Sequence, residues 1–274
     1  MELKRACLAI ADISGYTRFL MLHSTSLLHA EVIITELLEA VIGKAQHPLT
    51  IAKLEGDAVF LYAVTEDASP AARDVLKQAA GFFETFREKE RELIACNTCR
   101  CPACQSIEKL QLKVLLHYGE IAVKQVQQFT ELAGENVILI HRLLKNTVSA
   151  KEYILMTDTF HTLSGGIEGA ETEFRTEHAE GIGEVAVRVW YPPVHTHFPE
   201  RPAPLLPKPG TKSAALYERF NEYARRRLSG AESRRSFSSL AELKINAFSR
   251  LGYQMGIWLA KIGSGINSLF ISGK

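Results

Sequence analysis

The segment Leu49–Val64, LTIAKLEGDAVFLYAV, is the feature of this 274-residue chain that most restricts how it folds. Apolar residues stand on both sides of Gly56-Asp57, and a glycine at the first position of a two-residue turn favours a tight β-hairpin. Two neighbouring antiparallel strands are therefore predicted. Asp57 is expected at the hairpin tip, where its side chain extends beyond the sheet.

Further strands and helices are predicted around this hairpin. Ala6–Ala11 is expected to be a buried strand, and LQLKVLLHYGEIAV a strand that a break at Gly119 separates from a second short one. Helices are predicted over Leu27–Ile42, after Ser69-Pro70 and over GENVILIHRLLKN. EVAVRVWYP is the expected final strand, and the order of elements indicates an α+β fold with a mainly antiparallel sheet.

Helical periodicity predicts which side chains of these helices face the core. Ser69 is expected to be the N-cap and Pro70 the first residue of the second helix. The stripe of that helix is Val75, Ala79, Phe82, Phe83 and Phe86. The stripe expected for the first helix is Leu27, Leu28, Glu31, Val32, Thr35, Leu38 and Ile42. In the third helix, Val137, Ile140 and Leu144 are expected to face inward.

A second carboxylate stands at the end of the first strand, in IADISGYTRFL. Asp12 could be the N-cap of the following helix, because Asp accepts hydrogen bonds from free helix amides. Alternatively, it is a metal ligand beside an anion-binding helix N-terminus. If the first strand pairs with the hairpin, Asp12 and Asp57 meet at one sheet edge, and such a pair suits Mg²⁺ or Mn²⁺.

Four segments, in order, resemble the class III nucleotidyl cyclase family: ADISGYTRF, KLEGDAVF, LLHYGEIAV and AGENVILIHRLL. The resemblance spans about Lys4 to Tyr191. It implies a ferredoxin-like cyclase fold over residues 1–191. The chain is also similar to an uncharacterised bacterial family of cyclase-like proteins that share HRLLKN and a Cys-rich insert.

The resemblance also implies roles for individual residues. Asp12 and Asp57 match the two metal-binding aspartates. Lys53 matches the base-selecting lysine, Glu131 stands at the second base-contacting position, and Arg142 matches the transition-state arginine. A phosphate cradle is expected from the amides of Ile13, Ser14, Gly15, Tyr16 and Thr17.

More ordinary interpretations of these residues remain open. Asp57 could be a turn residue only, and Lys53 and Glu131 could be solvated. Arg142 could pair with Glu135 or Glu39. His117 lies on a leucine-rich strand, which favours a core histidine with satisfied hydrogen bonds over a metal ligand.

The chain departs from the cyclase pattern at Ile138. The family carries an Asn there, four residues before the arginine, which orients the reacting ribose. Isoleucine cannot form that hydrogen bond, and losing one such group commonly costs about 10²–10³ in rate. The first hypothesis is a cyclase that binds a nucleoside triphosphate with a divalent metal and makes a cyclic nucleotide. The second is a catalytically weak or inactive nucleotide-binding signalling module, and the third is a membrane-associated scaffold.

Four of the five cysteines fall in CNTCRCPAC, within the insert at residues 95–106. Thiolates two residues apart can bind one tetrahedral Zn²⁺. Because a single residue separates the two pairs, three ligands plus a fourth from elsewhere, or a site shared between two chains, fit more easily. Surface thiols, an iron–sulfur centre and a redox switch are the alternatives. The candidate ligands are Cys96, Cys99, Cys101 and Cys104.

The charge of the chain is unevenly distributed although the net charge is only +1. From Glu200 onward there are 13 Lys and Arg against 5 Asp and Glu, a net +8, and the preceding residues have 19 against 26, a net −7. Residues 192–212 contain seven prolines and are expected to form a linker. Residues 213–274 are predicted to be a basic, helical, amphipathic extension.

This extension could lie on a membrane or pack on the protein's own body. Glu2, Lys4 and Arg5 do not fit a signal peptide, and no apolar run reaches the roughly 18 residues of a membrane span. A cytoplasmic protein is therefore expected, with peripheral contact at the inner membrane face through the extension. No nucleic-acid partner is expected. Cyclases of this kind build each active site between two catalytic domains, so the resemblance implies a homodimer.

Overall fold

The computed structural model describes residues 1–16, 19, 27–97, 104, 106–193, 210–212, 214–216 and 218. Thr17, Cys99, Cys101, most of the linker and the extension from residue 219 onward lie outside the described residues. The chain divides into two compact units. The first comprises Met1–Tyr16, Ile34–Lys89 and Lys109–Thr196, and the second comprises Thr17–Ile33, Glu90–Glu108 and His197–Lys274.

Within the described residues, eight strands form one sheet. The strands are β1 (Glu2–Ser14), β2 (Thr50–Glu55), β3 (Ala58–Val64), β4 (Gln111–Val126), β5 (Phe129–Ala133), β6 (Tyr153–Thr157), β7 (Glu173–Ala179) and β8 (Gly183–Trp190). Their order is β2-β3-β1-β4-β6-β8-β7, with β5 paired to β4. The β4–β6 pair is parallel and the other pairs are antiparallel, so the predicted α+β fold with a mainly antiparallel sheet is confirmed.

The helices are α1 (Leu27–Lys44), α2 (Ala68–Cys96), α3 (Glu135–Leu143) and α4 (Asp158–Ser164), with a short 3₁₀ helix at Ile107–Lys109. One sheet face packs against α3, whose Ile140 and Leu143 join Leu8, Ile10 and Phe60 in the core. Ala6–Ala11 are fully buried, as expected of a strand covered on both faces. No helix among the described residues is long and apolar enough to cross a lipid bilayer.

The expected hairpin forms, with Gly56 in the left-handed region at φ 69° between β2 and β3. The core stripe predicted for α2 is buried along its whole length. The stripe predicted for α1 is wrong in register, because Glu31 and Thr35 are exposed. Its buried positions from residue 30 onward are Ala30, Ile33, Ile34, Leu37, Leu38 and Val41.

Two predicted boundaries also differ from the structure. Helix α2 begins at Ala68, so Ser69 lies inside its first turn and is not the N-cap. Strand β4 continues through Gly119 without a break. The reason is tertiary: a Cβ atom on Gly119 would collide with the side chain of Asn136, so the glycine accommodates helix α3 and does not end the strand.

Candidate functional site

The two carboxylates of interest come from neighbouring strands. Strands β1 and β3 pair so that Asp12 faces Ala58, and the amide of Ile13 donates to the carbonyl oxygen of Asp57 at 3.1 Å. Burial, together with the nearby negative charge of Asp12, raises the pKa of Asp57 to about 6. The fold therefore brings Asp12 and Asp57 to the same edge of the sheet, as the sequence predicted.

Lys113 of β4 completes this group, and the sequence analysis missed it. Its ammonium nitrogen lies 2.9 Å from Asp12 Oδ2, and both side chains are largely buried. The same nitrogen donates to the carbonyl oxygen of Leu144 at 3.4 Å, two residues after Arg142. A lysine between Leu112 and Val114 in a buried strand could have indicated a buried ion pair. Its partner could not be predicted, because it depends on the β1–β4 register, which places Lys113 opposite Asp12.

The donors of this group fit a hard divalent cation. Two carboxylates can supply oxygen ligands, and Lys113 already balances the charge of Asp12. Burial and the charge of Asp12 both raise the pKa of Asp57, and a bound cation would favour its ionised form. Among the described residues, no cluster contains three or more His, Cys, Asp or Glu side chains able to hold a metal. The remaining ligands would therefore come from water and phosphate oxygens.

The expected phosphate cradle is placed only in part. The Ile13 amide is already engaged with Asp57, so this N–H is not directed at a ligand. Ser14 ends β1, and Gly15 follows it with φ 93°. Tyr16 itself is helical. Thr17 lies outside the described residues.

Lys53 and Glu131 line one shallow depression between strands β2 and β5. Its other lining residues are Ala52, Phe60, Thr130 and Leu132. The sequence placed the lysine and the glutamate in separate segments, and the structure brings them together. The Lys53 ammonium is held 2.7 Å from Glu55 Oε1.

Glu55 is a further residue that the sequence analysis missed. Its second oxygen lies 3.0 Å from Nε2 of His141 on α3. Burial opposes ionisation of Glu55, but the hydrogen bond from Lys53 and the positive charge of His141 outweigh it, so the pKa of Glu55 is below its ordinary value. An edge-to-face contact with Phe60, 4.8 Å between ring centroids, fixes the His141 ring.

Arg142 and Ile138 are one helical turn apart on α3 and so share one helix face. Arg142 donates to Glu180 at 2.8 Å, in an ion pair whose members are both largely exposed. Neither Glu135 nor Glu39 is its partner in this pair. Ile138 is 53% exposed, so core packing does not explain why an isoleucine stands there.

His117 is a buried histidine with satisfied hydrogen bonds, as the sequence favoured. Its Nε2 lies 2.8 Å from Asn136 Oδ1, and its Nδ1 lies 2.9 Å from Thr157 Oγ1. Asn136 Nδ2 donates to the carbonyl oxygen of Glu120, which orients the amide. Burial lowers the pKa of His117. The histidine therefore connects β4 to the start of α3 and to the end of β6.

Of the four candidate zinc ligands, two lie among the described residues. Cys96 ends α2, and both Cys96 and Cys104 are buried. Asn97 Nδ2 donates to the carbonyl oxygen of Cys104 at 3.1 Å, so these two described residues lie next to each other. Cys99 and Cys101 lie outside the described residues.

Comparison with protein families and curated proteins identifies relatives of this chain. A family model described as "Protein of unknown function (DUF2652)" matches residues 34–153. The uncharacterised protein Rv2561/Rv2562 of Mycobacterium tuberculosis is 38% identical over 154 residues, which cover 56% of this chain and 70% of that protein.

Comparison with solved structures identifies the fold. The adenylyl cyclase CyaB from P. aeruginosa superposes with a TM-score of 0.56 at 17% identity, over 69% of this chain and 94% of that one. The guanylyl cyclase Cya2 gives 0.52 at 17% identity, over 69% and 92%. A "non-canonical dimeric" guanylyl cyclase domain of the fungus Blastocladiella emersonii gives 0.51 at 14% identity, over 69% and 98%. The chain thus belongs to the same family as the mycobacterial protein and has the class III nucleotidyl cyclase fold.

Proposed function

We propose that this chain is a cyclase-like domain that binds a nucleoside triphosphate together with Mg²⁺ or Mn²⁺. The observation that carries the proposal is the carboxylate pair: Asp12 and Asp57 lie at the same end of the paired strands β1 and β3, where the amide of Ile13 donates to the carbonyl oxygen of Asp57 at 3.1 Å. Two such carboxylates at one end of neighbouring strands would hold a cation that also binds phosphate oxygens.

Different parts of the site would contact different parts of the nucleotide. Asp12 and Asp57 would hold the metal ion, and the backbone around Ser14–Tyr16 would face the phosphates. Lys53 and Glu131 would contact the base from their shared depression. Bound metal would supply Lewis acidity at the phosphates.

The reaction of such a site is cyclisation. The ribose 3′-oxygen bonds to the α-phosphorus, the bond to the β-phosphate oxygen breaks, and pyrophosphate leaves while the hydroxyl proton passes to water. Arg142 would stabilise the negative charge that develops on the phosphoryl oxygens. The chain would act as a homodimer, and the fungal cyclase domain with the same fold is described as dimeric.

Two observations favour weak turnover as the second candidate function. Exposed Ile138 offers the ribose no hydrogen bond, and Glu180 already holds the arginine. A chain of this kind would bind nucleotide and metal while cyclising slowly, and binding and turnover must therefore be measured separately.

The experiment is a titration of purified protein with a fluorescent ATP or GTP analogue, with and without Mn²⁺, alongside an assay for cyclic product. Asp57→Asn should weaken Mn²⁺-dependent binding by more than the roughly 10–100-fold typical of an outer-shell partner. Asp74→Asn, at an exposed position on α2, is the matched control and should bind as the wild type does. Binding that is equal in Asp57→Asn and the wild type would remove the proposal.

We also propose that the insert at residues 95–106 binds Zn²⁺ through its cysteines, which the buried positions of Cys96 and Cys104 support. The membrane-associated scaffold remains a separate proposal. The basic extension on which it depends lies outside the described residues.

A further inference from the structure

Glu55 joins the hairpin that carries Lys53 to the helix that carries Arg142. One carboxylate oxygen lies 2.7 Å from the Lys53 ammonium. The other lies 3.0 Å from His141 Nε2. The Glu55 side chain is only 27% exposed, so much of this bridge is shielded from water. Salt screens such a pair less than it screens an exposed one.

The contacts of His141 hold Glu55 in place. Its Nδ1 lies 2.7 Å from the carbonyl oxygen of Val137, which can only accept a hydrogen bond. Its Nε2 faces the carboxylate of Glu55, and an ionised carboxylate likewise can only accept a hydrogen bond. Both ring nitrogens therefore lie against acceptor oxygens, and the ring is held between helix α3 and Glu55. Glu55 is thus contacted by Lys53 on one side and by His141 on the other.

The bridge changes what Lys53 can bind. An ammonium has three N–H donors, and Glu55 uses one of them. The Lys53 side chain is 47% exposed, so the remaining donors are accessible beside the depression that it shares with Glu131. With its charge neutralised and its direction fixed, Lys53 is better suited to donate to a neutral oxygen or nitrogen than to bind a free phosphate.

We propose that Glu55 is a specificity-determining positioning residue, which keeps Lys53 as a directed hydrogen-bond donor to a nucleobase and prevents it from acting as a free phosphate-binding cation. This inference rests on the proposed nucleotide site. It assigns to Glu55 a role that acts through Lys53 and requires no contact between Glu55 and the nucleotide.

The test is the substitution Glu55→Gln, which removes the charge but keeps the shape. Glutamine can still accept from Lys53, and its amide can donate to a neutral His141 ring, so the bridge can persist. We expect the ratio of the dissociation constants for ATP and GTP to move towards 1. We expect the affinity for inorganic tripolyphosphate to rise about 3-fold, the scale of one partly exposed ion pair.

A double-mutant cycle separates this role from a structural one. Lys53→Met should also bring the ratio of the dissociation constants for ATP and GTP towards 1. If the two residues act as a unit, adding Glu55→Gln to Lys53→Met should change neither this ratio nor tripolyphosphate binding any further. Glu184→Gln is the matched control. It removes the charge from a second His–Glu pair, with His178 at 3.2 Å, and should leave both measurements unchanged.

The outcomes distinguish this inference from the proposed function. Wild-type protein that binds no nucleotide would overturn both. Binding without discrimination between ATP and GTP would overturn only the role of Glu55. Glu55→Gln protein that still discriminates between ATP and GTP would also overturn the role of Glu55 alone. So would a Glu55→Gln effect of the same size in the wild-type and Lys53→Met backgrounds.

Discussion

At the scale of single residues, His117 shows how one side chain holds three elements. Asn136 Nδ2 donates to Glu120, so Asn136 Oδ1 is the acceptor for the His117 Nε2–H. His117 Nδ1 then accepts from the Thr157 hydroxyl, whose oxygen accepts the amide of Phe160 at the start of α4. Every donor in this hydrogen-bond network has an acceptor only when His117 is neutral.

This network predicts a pH dependence of stability. Because burial lowers the pKa of His117, the unfolded chain takes up a proton below about pH 6.5 that the folded chain does not. The stabilisation is present above that pH and is lost as pH falls towards the folded pKa, by at most about 1.4 kcal/mol per pH unit. The free energy of unfolding, measured with urea at several pH values, should fall less steeply with decreasing pH in His117→Asn than in the wild type.

The comparison of wild type and His117→Asn is needed because Asp57 titrates in the same pH range and changes stability in the opposite direction. Asp57 is present in both proteins, so the difference between their profiles reports on His117. The pKa of Asp57 is raised on folding, so its contribution to stability grows as pH falls. His178→Asn replaces an exposed histidine and should retain the wild-type profile. Parallel profiles for His117→Asn and the wild type would contradict the neutral assignment.

At the scale of elements, the contact between β4 and α3 depends on Gly119. The side chain of Asn136 occupies the space that a Cβ atom would need. Gly119→Ala should push Asn136 away and disturb its hydrogen bonds to His117 and Glu120. We expect the free energy of unfolding to fall by about 1–3 kcal/mol, the usual effect of overpacking.

Gly43→Ala is the control for this substitution. Gly43 lies in α1, and nothing stands within 4 Å of the position of its Cβ. Alanine favours helix there, so this variant should be as stable as the wild type or more stable by up to about 1 kcal/mol. Denaturant unfolding measures both, and a neutral Gly119→Ala would show that the close approach is dispensable.

The Cys-rich insert is the second element with a testable property. Protein purified in reductant should contain about one zinc ion per chain, and chelation should increase proteolysis of the segment around Cys96–Cys104. Replacing Cys99 and Cys101 by serine should remove the metal. Cys7→Ala should keep it, since Cys7 lies in the buried strand β1. Elemental analysis that finds no metal in the wild type would exclude the site.

At the scale of the whole molecule, the expected homodimer needs a surface. Phe129 on β5 is 59% exposed beside the depression that holds Lys53 and Glu131, and a stable dimer buries about 1,200–2,000 Å² in total. Phe129→Asp should shift the protein from dimer to monomer in sedimentation velocity. Phe174→Asp changes a similarly exposed phenylalanine on β7 and should remain dimeric. Wild-type protein that is monomeric at high concentration would contradict the prediction.

Local patterns in the sequence determined much of this protein. Turn chemistry at Gly56-Asp57 and strand periodicity predicted the hairpin, the buried first strand and the α+β class, because these depend on neighbouring residues. The stripe of α2 followed from helical spacing alone. Four motifs in order also indicated the cyclase fold that the solved structures share.

Tertiary structure decided the features that join distant segments. The β1–β4 register pairs Asp12 with Lys113, and the packing of α3 pairs Glu55 with His141 and Arg142 with Glu180. The buried side of α1 and the continuity of β4 through Gly119 were also decided in this way. Each depends on which surfaces pack together, because a side chain's partner across the fold leaves no pattern in the residues next to it in the chain.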